Sequence, residues 1–66
     1  MKKIIVLEDI IQLKNLDLTE YEVLSTSPKI DTYLDKNKIN YKNIYEFFDV
    51  KFYEELIIQS DKFIHY

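Results

Sequence analysis

The chain has no cysteine, glycine, arginine or tryptophan, and its 66 residues include one proline and one histidine. Without cysteine no disulfide can form, and a lone histidine offers little for a metal site. A domain of this length buries only about 60% of its unfolded-chain surface. Domains this small are usually reinforced by disulfides, a metal or oligomerisation. With the first two removed, the sequence predicts self-association or a partner protein.

The lack of arginine and the net charge of −3 argue against nucleic-acid binding, which normally uses a basic surface rich in arginine. The first apolar run, Ile4 to Leu7, ends at Glu8 and Asp9. It is too short for the core of a signal peptide or for a membrane span. We therefore expect a soluble cytoplasmic protein that binds neither nucleic acid nor membranes and holds no cofactor.

The apolar residues that are present indicate a folded domain. They make up 47% of the chain, and six tyrosines and four phenylalanines are among them, which is too apolar for a disordered protein. Lys3–Glu8 is rich in β-branched residues and predicts a strand buried on both faces. Tyr21–Thr26 predicts a second strand. Ser27 and Pro28 then predict a helix that continues to about Lys38, because serine is a preferred N-cap and proline is favoured at the first helical position.

The second half of the chain also alternates predicted strands with predicted helices. Ile39–Ile44 alternates apolar and polar residues, which predicts a strand with a solvated face or at a sheet edge. Asp49 predicts the N-cap of another helix, and Ser60 predicts its end. One side of this helix carries the apolar residues Val50, Phe52, Tyr53, Leu56 and Ile57. Phe63–Tyr66 is extended in character and could add a fourth strand or cover the sheet.

The first connection has weaker patterns. Asp9 with Gln12 forms a capping-box arrangement that predicts a short helix ending near Asn15. Asp17–Glu20 is interpreted as a polar connector. Because the chain has no glycine, we expect any residue with positive φ to be Asn or Asp. The candidates at predicted element ends are Asn15, Asn37, Asn40 and Asn43.

Strands that alternate with helices predict an α/β fold with a mainly parallel sheet. We expect a single domain over residues 1–66, with three or four strands and short helices. Such a domain corresponds to half of a Rossmann-like doubly wound domain.

The pattern resembles the N-terminal end of Rossmann-like bacterial glycosyltransferases and surface-carbohydrate biosynthesis proteins. The residues that carry the resemblance are Ile4–Leu7, Tyr21–Pro28, Tyr33-Leu34, Lys38–Tyr41 and Ile44–Phe48. Those enzymes are several times longer, and their nucleotide-sugar sites lie mainly in the part that has no counterpart here. The resemblance therefore implies a fragment or a reused half-domain, and it does not imply transferase activity.

Ligands of open α/β sheets bind beyond the carboxyl ends of the strands. The polar residues predicted at those ends are Glu8, Asp9, Ser25, Thr26, Ser27 and Asn43. The helix start after Ser27 could hold a small anion, although helix capping explains the same residues without a ligand. Glu8 and Asp9 could supply two ligands for Mg²⁺, but the sequence indicates no third ligand, so the pair makes a weak metal site. His65 lacks a serine or cysteine partner, so we expect an exposed residue and not a general base.

The aromatic residues are the other candidates for function. Core packing explains many of them, but so many rings are hard to bury in one small domain, and exposed aromatic patches mark interfaces. The predicted interface residues are Tyr41, Tyr45, Phe47, Phe48, Phe52, Tyr53 and Tyr66.

The sequence thus favours a non-enzymatic protein-interaction module, either a homo-oligomer or a small acidic binder or inhibitor of a larger protein. An inhibitor encoded by a phage or a mobile element would fit its size and acidity, although many other small proteins share these traits. Two alternatives remain open. One is a truncated segment of a glycosyltransferase-like protein, and the other is a binder of a small anion at Ser25–Ser27.

Overall fold

The structure is a computed structural model, and it describes residues 1–9 and 17–66. The short helix predicted from Asp9 to Asn15 lies almost entirely outside the described residues. In chain order the elements are β1 Lys3–Leu7, β2 Glu22–Ser25, α1 Pro28–Lys36, β3 Lys42–Asn43, α2 Val50–Gln59 and β4 Lys62–His65.

The described residues form a four-stranded parallel sheet with the strand order β3-β2-β1-β4. In this register Val6 of β1 lies between Leu24 of β2 and His65 of β4. Each pair of consecutive parallel strands must be joined by a crossover, and the two helices form part of these connections. The small parallel α/β fold predicted from the sequence is therefore confirmed, including the fourth strand.

Strand β1 lies at the centre and is buried on both faces. Ile5 and Leu7 pack on one side of the sheet with α1, whereas Ile4 and Val6 pack on the other side with Leu56 of α2. Each of these four β1 side chains is at most 1% exposed. The unbroken apolar run is thus explained by a strand that has helices on both faces.

The predicted helix starts are confirmed at atomic detail. The Ser27 hydroxyl accepts a hydrogen bond from the Ile30 amide, and Pro28 occupies the first helical position. The Asp49 carboxylate accepts a 2.8 Å hydrogen bond from the Phe52 amide at the start of α2. These side chains satisfy amide groups that have no partner within a helix.

Two predictions about the connections were wrong. The segment interpreted as a polar connector contains a 3-10 helix, Leu18–Glu20, and Leu18 is a buried core residue. Among the described residues, the one with positive φ is Lys38, at φ 56°, and it is neither Asn nor Asp. Lys38 follows the end of α1, where the Ile39 amide still donates to the Leu34 carbonyl over 2.9 Å. This bond needs a left-handed residue between its partners.

The third strand is shorter than the predicted Ile39–Ile44. Because Ile39 is still hydrogen-bonded to the end of α1, the chain reaches an extended path beside β2 only at Lys42 and Asn43. Its predicted place at a sheet edge is confirmed.

Candidate functional site

The outer edge of β4 carries main-chain groups that point away from the sheet. The Lys62 amide donates to the carbonyl group of Lys2, directly before β1, and the Tyr66 amide donates to the Val6 carbonyl group in β1. In a parallel ladder, alternate residues bond to the same neighbour, so the N–H and C=O groups of Phe63 and His65 face outward. In the described part of the chain, no strand lies beside this edge.

The opposite edge of the sheet is better protected. Strand β3 has two residues, and the Lys42 ammonium lies 5.6 Å from the centre of the Phe47 ring next to it. Short edge strands and lysine side chains are common ways to prevent edge-to-edge pairing. Strand β4 has four residues, and its Lys62 reaches inward over the sheet to the Tyr21 ring. The β4 edge therefore remains the better template for another strand.

Helix α2 places apolar side chains above this edge. Tyr53 contacts the rings of Phe63 and His65 in β4. Val50 and Ile57 lie three residues before and four after Tyr53, so they share its side of the helix. They are 75% and 47% exposed, although both belong to the apolar side of α2 that the sequence predicts. We call this surface the β4–α2 edge: the outward backbone of Phe63 and His65 with the side chains of Val50, Tyr53 and Ile57.

A shallow pocket lies at the amino end of α2, beside the β4–α2 edge. It has a volume of about 400 Å³ and is lined by Phe48, Asp49, Val50 and Tyr53. The Phe48 and Tyr53 rings meet edge to face, with their centres 5.8 Å apart. The pocket is mostly apolar and has the size to accept one large side chain of a partner.

Three polar side chains meet where β1 and β4 end. The Glu8 carboxylate lies 2.9 Å from His65 Nε2, and the Tyr53 hydroxyl lies 3.0 Å from His65 Nδ1. A carboxylate can only accept a hydrogen bond, so neutral His65 carries its proton on Nε2 and accepts from Tyr53 at Nδ1. His65 is exposed, as the sequence predicts, and the polar groups that contact its ring are Glu8 and Tyr53 and not a serine.

These contacts are better suited to holding the Tyr53 ring in place than to catalysis. A general base needs a nitrogen available to the substrate, and both nitrogens of His65 already have partners. The hydrogen bonds instead link the carboxyl ends of β1 and β4 to α2 through Glu8, His65 and Tyr53. They hold the Tyr53 ring over β4, where it forms part of the β4–α2 edge.

The hydroxyl groups predicted to bind an anion are bonded to the main chain. Ser25 is fully buried and donates to the Ser27 carbonyl over 3.0 Å. Thr26 donates to the Leu7 carbonyl over 2.7 Å, and Ser27 caps α1. Anion binding here stays a prediction that these contacts neither require nor test.

The other predicted ligand residues are spread over the carboxyl end of the sheet. Glu8 contacts His65, and Asp9 is exposed beside it. Asn43 ends β3, which is separated from β1 by β2. Within residues 1–9 and 17–66, no group of three or more His, Asp or Glu side chains could hold a metal ion.

Two of the predicted interface tyrosines contact α1. The Tyr45 hydroxyl donates to the Asp31 carboxylate, and this hydrogen bond, with burial, raises the pKa of Tyr45 to about 12. Burial also raises the pKa of Tyr41, and a hydrogen bond with Asp35 acts in the same direction. The carboxylates Asp31 and Asp35 are one helical turn apart, so this pair of contacts fastens the segment around β3 to α1.

The remaining predicted interface residues have different surroundings. Phe48 and Phe52 pack against the core between the sheet and α2, and Phe47 meets Phe52 edge to face. Tyr66 follows β4 and is 37% exposed. Tyr53 belongs to the β4–α2 edge. Sequence reasoning missed Ile57 and Val50, because their spacing with Tyr53 is equally typical of a buried helix face.

No protein-family model, curated protein or solved structure matches this chain. The resemblance to glycosyltransferases therefore stays a prediction. Among the described residues, neither helix has the length and apolar character needed to cross a membrane.

Proposed function

We propose that the protein is a non-enzymatic interaction module that binds a strand of a protein partner along the β4–α2 edge. The observation that carries the proposal is the outward backbone of Phe63 and His65 beside the exposed side chains of Val50 and Ile57. Strand addition of this kind gains affinity from main-chain hydrogen bonds and specificity from side-chain pockets.

The surroundings of the edge support this mode of binding. The pocket of about 400 Å³ next to Val50 could take an apolar side chain of the added strand. The Tyr53 ring would cover the same strand from above, held in place by its hydrogen bond to His65. A strand that pairs with β4 would thus contact both a polar backbone and an apolar helix flank.

A second candidate rests on the same edge. The order β3-β2-β1-β4 is the order of the first four strands in a doubly wound Rossmann domain, where a fifth strand pairs with the fourth. In that case the β4–α2 edge would be covered by the second half of a glycosyltransferase-like carbohydrate biosynthesis protein. The partner would then be a complementary half-domain.

The test is site-specific photo-crosslinking in the cells that naturally make the protein. A benzophenone amino acid is placed at Val50, and a control is placed at Ile58, which is 82% exposed but lies away from β4. We expect a discrete crosslinked protein from position 50 and at most a weak one from position 58. Equal labelling from both positions, or none from position 50, would overturn the proposal. The identity of the product separates a second copy, a larger protein and a complementary half-domain.

A further inference from the structure

We propose that the partner at the β4–α2 edge is a second copy of this chain, joined by antiparallel pairing of the two β4 strands about a two-fold axis. This inference rests on the proposed function and names its partner. Two-fold dimers are the commonest oligomers, and their interface must be complementary to itself. The β4–α2 edge meets this requirement in its hydrogen-bond register, its apolar contacts and its charges.

The register follows from which residues of β4 face outward. The N–H and C=O groups of Phe63 and His65 face outward, and those of Ile64 between them bond to β1. With the axis at Ile64, Phe63 lies opposite His65 of the second copy, and the reverse pair is identical. Each pair then exchanges two N–H···O=C hydrogen bonds. A register centred on Phe63 or on His65 would leave some of these groups facing no residue of β4.

The apolar contacts are reciprocal in the same arrangement. Tyr53 lies near His65, so Val50, one turn earlier, lies toward the carboxyl end of β4, and Ile57 lies toward its start. The two-fold axis reverses the second copy, so Ile57 of one chain approaches the pocket beside Val50 and Tyr53 of the other. Both copies would bury an exposed isoleucine in an apolar pocket.

The charges favour the antiparallel orientation. Glu8 and Asp49 lie at the carboxyl end of β4. Antiparallel pairing keeps the acidic ends of the two copies at opposite ends of the paired strands. A second copy added in parallel would place the two acidic ends side by side, where like charges repel.

A disulfide test exploits the absence of cysteine in the chain. With the axis at Ile64, the two Ile64 residues form a pair about 4.5–5.5 Å apart, within the Cα range of a disulfide. The control Lys62→Cys faces Tyr66 of the second copy, so its two cysteines would lie roughly 14 Å apart. We expect Ile64→Cys to form a disulfide-linked dimer at least about tenfold faster than Lys62→Cys under mild oxidation.

A second measurement addresses the backbone directly. Chemical synthesis with an N-methyl group on Phe63 removes an outward N–H while keeping the side chain and the bonds to β1. We expect the dimer Kd to rise at least about tenfold, because both copies carry the N-methyl group and two hydrogen bonds across the interface are lost. Circular dichroism is the control that checks whether each variant is folded.

The outcomes separate the two proposals. Equal rates for Ile64→Cys and Lys62→Cys, or an unchanged Kd after N-methylation of Phe63, would overturn the two-fold dimer. If the benzophenone at Val50 then captured a different protein, the interaction function would stand with another partner. If neither experiment gave a product, both proposals would fail.

Discussion

Replacing Lys38 with glycine should stabilise the protein. Lys38 has φ 56°, a conformation in which a β-carbon costs about 1–2 kcal/mol. Glycine avoids that cost, but it loses more backbone entropy on folding than alanine does, which costs about 0.5–1 kcal/mol. The balance predicts that Lys38→Gly is more stable than Lys38→Ala by about 0.5–1 kcal/mol. The alanine variant serves as the reference because both substitutions remove the same charge near the end of α1.

A matched pair at Lys36 tests the reason for this effect. Lys36 is the last residue of α1 and has helical geometry, so Lys36→Gly should be less stable than Lys36→Ala by about 0.5–1 kcal/mol. The free energy of unfolding of all four variants is measured by urea denaturation at one protein concentration. Opposite signs at the two positions are expected. The same sign at both would refute the account of how α1 ends at Lys38 and Ile39.

Two further predictions concern titration and hydrogen bonding. The pKa of Tyr45 is about 12, above its ordinary value of 10, because its hydroxyl donates to Asp31. The stabilisation that this hydrogen bond provides is therefore present below pH 10 and is lost as the pH rises to about 12. The free energy of unfolding of the wild type should fall relative to that of Tyr45→Phe over this interval. A constant difference between the two proteins would contradict the hydrogen bond. For His65, nitrogen NMR above neutral pH should show the Nε2–H tautomer, and Glu8→Gln or Tyr53→Phe should shift its ring signals. A dominant Nδ1–H form would contradict the assigned contacts.

The helix starts could be predicted because their chemistry is local. Ser27 and Asp49 each bond to an amide three residues later, and Pro28 sets its own φ. These effects need no tertiary contact. The start of β3 could not be found in this way. It depends on the hydrogen bond from Ile39 to Leu34, which keeps the chain attached to α1.

The cluster around His65 depends on topology. Glu8 and His65 are 57 residues apart, and they meet because β4 pairs with β1 in parallel. Glu8 and the extended run around Phe63 were both visible in the sequence, but their meeting required the strand order. The same strand order determines which edge of the sheet remains available to another chain.

The exposed apolar residues of α2 were misassigned for a different reason. Periodicity indicates that one side of a helix is apolar, but it does not give the width of the surface that the sheet covers. Leu56 is buried against the sheet, Tyr53 is partly covered by β4, and Ile57 extends beyond it. The apolar stripe is therefore wider than the core that it contacts.

The most direct test of the β4–α2 edge is solution mass by sedimentation or light scattering over a concentration series. Wild type, Ile57→Lys and Ile58→Lys are compared, because both isoleucines are exposed but only Ile57 lies beside Tyr53 on the flank above β4. We predict a reversible dimer for wild type and Ile58→Lys, and a monomer for Ile57→Lys at the same concentrations. A wild-type protein that stays monomeric throughout, or equal weakening by both lysines, would contradict self-association through this edge.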